Sequence, residues 1–518
     1  MLSKINTCVL QGLQGHKIEV ESDINNGLPS FSIVGLPDVA IKESKERVRS
    51  AISNSGYRFP MNRITINLSP ASIRKEGSQL DLPIALGILN SMGKINEIKE
   101  DSFFIGELSL NGDIKYVDGA LPMIISLREM GIKDIYIPCE NLEECSYIEG
   151  INIFPVKDLI ELTGILNGTQ RMKPLKIKNF NDVEKTKEYD LDFSEVKGQE
   201  TLKRAVEVAV AGSHNLIIVG PPGSGKTMIA KRIPSIMPDL TFDEALEITQ
   251  IYSVSGIKHV KKLIKDRPFR SPHHTISKTA LVGGGRIPKP GEVSLSHYGV
   301  LFLDEMPEFS KKTLEVMRQP IEDGEILISR ANANLKYPSK FMLVASMNPC
   351  PCGYFGDPKH ECRCTQNQID SYLNKISGPL LDRIDIQIEA NPIKYNDLKN
   401  NETTENSFTI KDRINKAREI QQMRFKGINV FSNSQLSNKD IKKFCKFTNE
   451  AEGLLKKSFD SLGLSARAYN KIIKVSRTIA DLDFSEIIDV DHIAEAIQYR
   501  NLDRKFWSWK WTIKIPYY

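Results

Sequence analysis

Short apolar runs alternate with stretches of helical period along most of this chain, and the C-terminal block reads helical throughout. Ile64-Thr-Ile-Asn-Leu68 and Asp134-Ile-Tyr-Ile-Pro138 carry the period-two pattern of half-buried strands. The segments starting Leu82-Pro83 and Leu121-Pro122 place apolar residues at helical spacing. Proline falls in the first turn of each, where its missing N–H removes no intrahelical bond. Further on, Leu216–Val219, Val300–Leu303 and Phe341–Met347 are apolar runs that each end in polar residues. Helical stretches separate them, which predicts a mainly parallel sheet. Near the end, Asp491-His-Ile-Ala-Glu-Ala-Ile-Gln-Tyr-Arg500 reads as a helix capped by its aspartate. Trp507, Trp509 and Trp511 alternate as a strand would.

Two polar stretches, from Gly168 to Tyr189 and from Asn391 to Ser407, interrupt this pattern and read as linkers. They divide the chain into an α+β block over 1–170, a linker over 171–190 and an α/β block over 191–392. A second linker over 393–407, a helical block over 408–505 and an aromatic tail over 506–518 follow. The length of 518 residues suits about three domains.

Composition narrows the class. Hydrophobic residues make up 40% and charged residues 26%, which is ordinary globular material. No apolar run approaches the roughly 18 residues of a membrane helix, and the first residues lack the apolar core of a signal peptide. A cytoplasmic protein without membrane partners is the expectation. Eight cysteines in so long a chain form no disulfide framework. The net charge of +5 permits anionic partners without demonstrating them.

The richest chemistry follows the run Leu216–Val219. Gly220, Pro221, Pro222, Gly223, Ser224, Gly225, Lys226 and Thr227 fit the phosphate-loop spacing at every specified position. Glycines let backbone N–H groups approach phosphate oxygens. Lys226 would reach the β- and γ-phosphates of ATP, and the Thr227 hydroxyl would ligate Mg²⁺. Downstream, Val300-Leu-Phe-Leu303 ends in Asp304 and Glu305. Asp304 suits the Mg²⁺, and Glu305 suits polarisation of the attacking water. Many buried strands end in acidic turns; the ordered pair of motifs is what points to a nucleotide.

Other candidates are less specific. Asn348 ends the third apolar run and would either orient water beside Glu305 or form a turn before Pro349. Arg383 and Arg467 are candidates for work on the γ-phosphate, with a plain surface role open for each. Lys258 to Lys289 holds nine Lys/Arg and one acidic residue. That stretch suits either a loop on a DNA backbone or a solvated basic face. Cys350, Cys352, Cys362 and Cys364 bracket a loop containing His360. Zn²⁺ and free thiols both remain open, because the C-x-C spacing is tighter than usual for zinc.

Together these residues resemble the magnesium chelatase-like AAA+ proteins of the ComM (YifB) type over nearly the whole chain. In that resemblance Gly220–Thr227 is Walker A and Leu301–Glu305 is Walker B. Asn348 is similar to the family's sensor 1, Arg383 to its arginine finger and Arg467 to its sensor 2. The segment Asp192–Gln199 resembles the one that packs near the adenine, and Ile328–Tyr337 a hairpin before sensor 1. The resemblance implies an AAA+ core with a helical lid, a homo-hexameric ring, and ATP-driven helicase or branch-migration work on DNA during natural transformation. The first block resembles the Lon proteolytic domain. Where that domain needs serine and lysine, Asp81 and Leu121 stand here, with Ser78 close to the first. An inactive protease fold is the expectation. The competing readings are a metal-insertion ATPase subunit of the chelatase type, an ATP-dependent Lon-like protease, and a nucleotide-dependent scaffold.

Overall fold

The alternation around Ile64 forms a strand, Arg63–Ser69, in which Ile64, Ile66 and Leu68 are buried. The computed structural model describes residues 2–96, 98–182, 191–257, 262–285, 288–330, 333–357, 360–392, 404–428 and 430–502. The aromatic tail expected over 506–518 lies outside them, as do 183–190 and 393–403 of the two linkers. The described residues fall into two compact units whose division does not follow the order of the chain. The first takes Met1–Glu184, Thr241–Lys265 and Leu327–Tyr337; the second takes Lys185–Leu240, Asp266–Ile326 and Pro338–Tyr518.

In the first unit, strands β1 (Leu2–Gln11), β2 (Gln14–Asn25), β3 (Ser30–Val34), β4 (Arg63–Ser69), β5 (Ser102–Phe104), β6 (Asp134–Pro138) and β7 (Asn152–Val156) form one sheet. Its order is β3-β4-β2-β1-β5-β6-β7. The β1/β2 and β2/β4 pairs are antiparallel and the others parallel. Helix Asp81–Ser91 is apolar on almost all sides, and it is correspondingly buried nearly all round. Helix Phe242–Ser255, opened by a Thr241–Glu244 capping box, also belongs here. The Gly119 N–H donates to the Ser253 carbonyl at 3.1 Å. The described part of the first linker is pinned to this unit: Leu175 N–H reaches the Ile153 carbonyl at 2.7 Å, and Phe180 meets Phe242 edge-on.

In the second unit, β8 (Leu216–Val219), β9 (Phe269–Arg270), β10 (Val300–Leu303), β11 (Met342–Met347) and β12 (Ile386–Glu389) form a wholly parallel sheet ordered β9-β10-β11-β8-β12. Every residue of β8, β10 and β11 is buried, as expected of strands covered on both faces. The hairpin expected over Ile328–Tyr337 pairs Glu325–Arg330 with Ala333–Pro338, and its part from Leu327 to Tyr337 belongs to the first unit.

Among the described residues, five α-helices follow β12: Ser407–Arg424, Asn438–Phe444, Asn449–Leu462, Ala466–Leu482 and Val490–Gln498. Their end is stitched to the sheet, since the Tyr499 carbonyl accepts from Gln387 N–H at 2.9 Å and Arg500 donates to the Ile384 carbonyl at 2.7 Å. The last helix corrects the expected cap. Asp489, not Asp491, caps it, because Asp489 accepts from the Val490 N–H and its own N–H is taken by His492 Nδ1 at 2.9 Å. At the centre of the bundle Arg477 and Asp481 are both fully buried, 3.0 Å apart. Arg424 joins them as a second cation, and Asn433 donates to Asp481 at 2.7 Å.

Candidate nucleotide site

The phosphate loop leaves the C-terminal end of β8 and enters helix Lys226–Ile236. Gly223 and Gly225 adopt φ of +76° and +82°, left-handed values that a residue with a Cβ would resist. This curl folds Lys226 back over its own loop. Its Nζ donates to the Gly220 and Pro221 carbonyls, each at 2.8 Å. Burial pulls the Lys226 ammonium below its usual range, while Asp304 and Glu305 oppose that shift. Gln199, from the segment expected near the adenine, donates to the Ser224 carbonyl at 3.2 Å.

The parallel register brings the ends of β8, β10 and β11 to one edge of the sheet. Thr227 Oγ1 donates to Asp304 Oδ2 at 2.9 Å. A hydroxyl beside a carboxylate is the hard-oxygen pairing that Mg²⁺ takes, so these residues fit the ion. Asn348 Oδ1 accepts from Lys226 Nζ at 3.2 Å, so the asparagine lies at the loop. Sequence reasoning missed Ser346. Its hydroxyl donates to Asp304 and accepts from the Glu305 N–H at 3.2 Å, fixing both acidic residues. The available signal was a lone hydroxyl in the otherwise apolar run Met342–Met347. Glu305 holds a left-handed backbone, φ +49°, that turns the chain sharply after Asp304.

The two arginines lie elsewhere. Register pairs Leu216 with Ile386 and Val219 with Glu389. Arg383, ahead of β12, therefore sits at the sheet edge opposite its own phosphate loop. There it bonds the Pro379 carbonyl at 2.6 Å and pairs with Glu322. Arg467 opens helix Ala466–Leu482 and faces Asp382 at 3.9 Å.

The basic stretch is not uniformly available to a ligand. Arg270 forms a two-pronged pair with Glu292 at 2.6 and 2.7 Å, and Arg267 donates to the Tyr298 carbonyl at 2.7 Å. Residues 258–261 and 286–287 of that stretch lie outside the described residues.

The four cysteines converge, with all Sγ atoms within 4.8 Å of one another. Cys350–Cys352, Cys350–Cys362 and Cys352–Cys362 stand at 3.4, 3.7 and 3.6 Å. A tetrahedral site with Zn–S bonds near 2.3 Å has sulfur–sulfur edges of about 3.8 Å, so the four thiols fit zinc despite the short sequence spacing. His360 lies against Tyr354, the rings tilted by 34° with centroids 4.9 Å apart, and is not among the four grouped ligands. All eight cysteines are free of disulfides.

In the first unit, fully buried Asp81 is clamped by Arg47 at 2.7 and 3.1 Å, and Leu121 is also buried. The Ser78 hydroxyl donates to Glu107, and the nearby Lys75 ammonium is held by the Pro70 carbonyl.

Comparison with known proteins agrees with this architecture. Family models described as magnesium chelatase subunit ChlI and as its C-terminal part match residues 192–398 and 404–500, and one described as subunit ChlI of Mg-chelatase matches 20–141. Competence protein ComM of Haemophilus influenzae is 42% identical over 95% of this chain and 96% of its own. The Escherichia coli protein YifB is 43% identical over 97% and 98%. Lon protease 2 of Bacillus subtilis is 31% identical over 26% of this chain and 25% of its own, which accords with a Lon-like N-terminal region. The chain belongs to the magnesium chelatase-like AAA+ family of ComM and YifB.

Proposed function

We propose that this protein is an ATP-driven motor on DNA, a homo-hexameric ring that unwinds or branch-migrates single-stranded or branched DNA during natural transformation and recombination. The observation that carries the ATPase half is the convergence of Lys226, Thr227, Asp304 and Asn348 at one sheet edge, with Glu305 beside them. Loop N–H groups and Lys226 hold the β- and γ-phosphates; Thr227 and Asp304 hold Mg²⁺, which neutralises charge as the phosphoryl group departs. Glu305 takes the proton of the attacking water, and Asn348 orients that water. Arg383 stands away from its own loop, which supports service to the γ-phosphate of a neighbouring subunit, and Arg467 is assigned to sense that phosphate from the helical region.

The DNA half rests on the likeness to a competence protein and on the basic stretch Lys258–Lys289. Natural transformation happens inside the cell, so the reading is cytoplasmic; no helix of the described residues is long and apolar enough to cross a membrane. A chelatase-type metal-insertion role is the second reading, favoured by the family models themselves. The magnesium-chelatase subunit of Guillardia theta matches only 32% of this chain at 25% identity, so the DNA reading is preferred. The Lon-like region is read as a retained fold without proteolysis, since Asp81 and Leu121 stand where serine and lysine would act. The four cysteines are read as holding one structural Zn²⁺.

The test is a strand-exchange assay on forked and four-way DNA with ATP, run on the wild type and on Glu305→Gln. Wild type is expected to move the branch, and Glu305→Gln to bind ATP without moving it. A wild type that hydrolyses ATP yet moves no branched substrate, while co-purifying with a large porphyrin-binding partner, would favour the chelatase reading.

A further inference from the structure

The cysteine cage touches the ATP site at three points. Cys350 follows Asn348 by two residues, at the end of β11. The turn it opens closes on Gly353, whose N–H donates to the Cys350 carbonyl at 3.0 Å. Gly353 has φ +88°, and a Cβ there would stand 2.5 and 2.8 Å from Cδ and Cγ of Pro222. The cysteine turn therefore lies directly against the phosphate loop. On the far side, Cys364 leads into helix Gln366–Leu373, started by a Thr365–Gln368 capping box. Tyr372 of that helix is buried against the backbone amide of Asn348.

Each end of the cysteine segment is thus tied to a group that handles phosphate. The thiols contact one another only through weak S–H interactions, which do not define one geometry. A metal bound by all four sulfurs does define one, and structural zinc contributes folding free energy to its surroundings.

We propose that zinc held by Cys350, Cys352, Cys362 and Cys364 positions the ATP site, setting Gly353 against Pro222 and Asn348 beside Lys226. The inference rests on the zinc reading above and adds to it a role in nucleotide binding. Gly353 and Tyr372 act as positioning residues, since neither meets the reacting atoms. Removing the metal loosens the Pro222 edge of the loop and the Asn348 end of β11 together.

The experiment uses full-length protein, Cys362→Ser and Gly353→Ala. Zinc is measured by atomic emission, affinity with a fluorescent ATP analogue, and folding by thermal unfolding. Wild type is expected to carry about one zinc per chain. Cys362→Ser is expected to lose the metal and bind ATP roughly 10–100-fold more weakly. Gly353→Ala is expected to keep its zinc and still bind ATP about tenfold more weakly, through its clash with Pro222. Chelation of the wild type should reproduce the loss, and added zinc should restore it. Zinc-free wild type would overturn the metal reading. A zinc-bound wild type whose ATP affinity survives chelation would overturn the coupling and leave the metal reading standing. If Cys362→Ser does not fold, chelation and Gly353→Ala decide, and unchanged affinity in both overturns the proposal.

Discussion

Asn348 Oδ1 accepts a hydrogen bond from Lys226 Nζ at 3.2 Å, joining the end of β11 to the phosphate loop. Lys226 is otherwise held by its own loop carbonyls, so Asn348 is the side chain that reaches it from a neighbouring strand. Asn348→Ala is expected to leave ATP binding within a few-fold of wild type. Its hydrolysis rate should fall on the order of 10², the effect of losing one oriented polar group at a reacting centre. Lys226→Ala should instead lose binding. Equilibrium binding and single-turnover hydrolysis separate the two, and loss of binding in Asn348→Ala would assign it to the loop.

Arg383 gives a test in trans. Its guanidinium pairs with Glu322 at the sheet edge away from its own loop. Arg383→Ala is expected to bind ATP normally and to lose roughly 10³-fold in hydrolysis. Mixing it with Lys226→Ala, which is also inactive, should restore activity, because some interfaces then hold one intact loop and one intact arginine. Mixtures that stay inactive would place Arg383 outside the reaction.

The helical region depends on a buried charge cluster. Asp481 stands between Arg477 and Arg424 and is fully buried. Asp481→Ala leaves two guanidinium groups without their carboxylate and is expected to cost about 3–5 kcal/mol. Thermal unfolding measures this. A change under 1 kcal/mol would show that water or rearrangement satisfies the arginines.

A buried acid makes the first unit pH-sensitive. Glu144 is fully buried, with Asn141 at 2.6 Å and Ser253 at 3.1 Å, and burial raises its pKa from 4.5 to about 7 against the pull of those bonds. The raised value means the folded protein holds a proton that the unfolded chain releases. Stability from Glu144 is therefore full below pH 4.5 and lost as pH rises through about 7. Glu144→Gln should raise Tm at pH 8 and change it little at pH 4.5. An equal effect at both would remove Glu144 as the source.

Much of this was legible in the sequence because covered parallel strands read as apolar runs and phosphate loops have fixed spacing. Leu216–Val219, Val300–Leu303 and the run ending at Met347 became β8, β10 and β11, with Lys226, Thr227, Asp304 and Asn348 at their ends. Ser346 was not legible, since a hydroxyl in an apolar run reveals no partner until register brings Asp304 opposite. Nor was the return of Phe242–Ser255 to the first unit, which depends on packing far apart in sequence. The last helix was placed, but its cap was misread at Asp491, because two aspartates two residues apart satisfy the same signal and His492 decides between them. For the cysteines, the tight C-x-C spacing left a zinc cage and free thiols both open, and only the fold shows that the four sulfurs come together.

The most direct test is steady-state ATP hydrolysis by the full-length protein with Mg²⁺, alone and with forked, single-stranded or four-way DNA. The expected result is slow hydrolysis that DNA accelerates several-fold, that salt suppresses by weakening phosphate contacts, and that Glu305→Gln abolishes. Hydrolysis that no DNA structure alters would contradict the assignment of this site to a DNA motor.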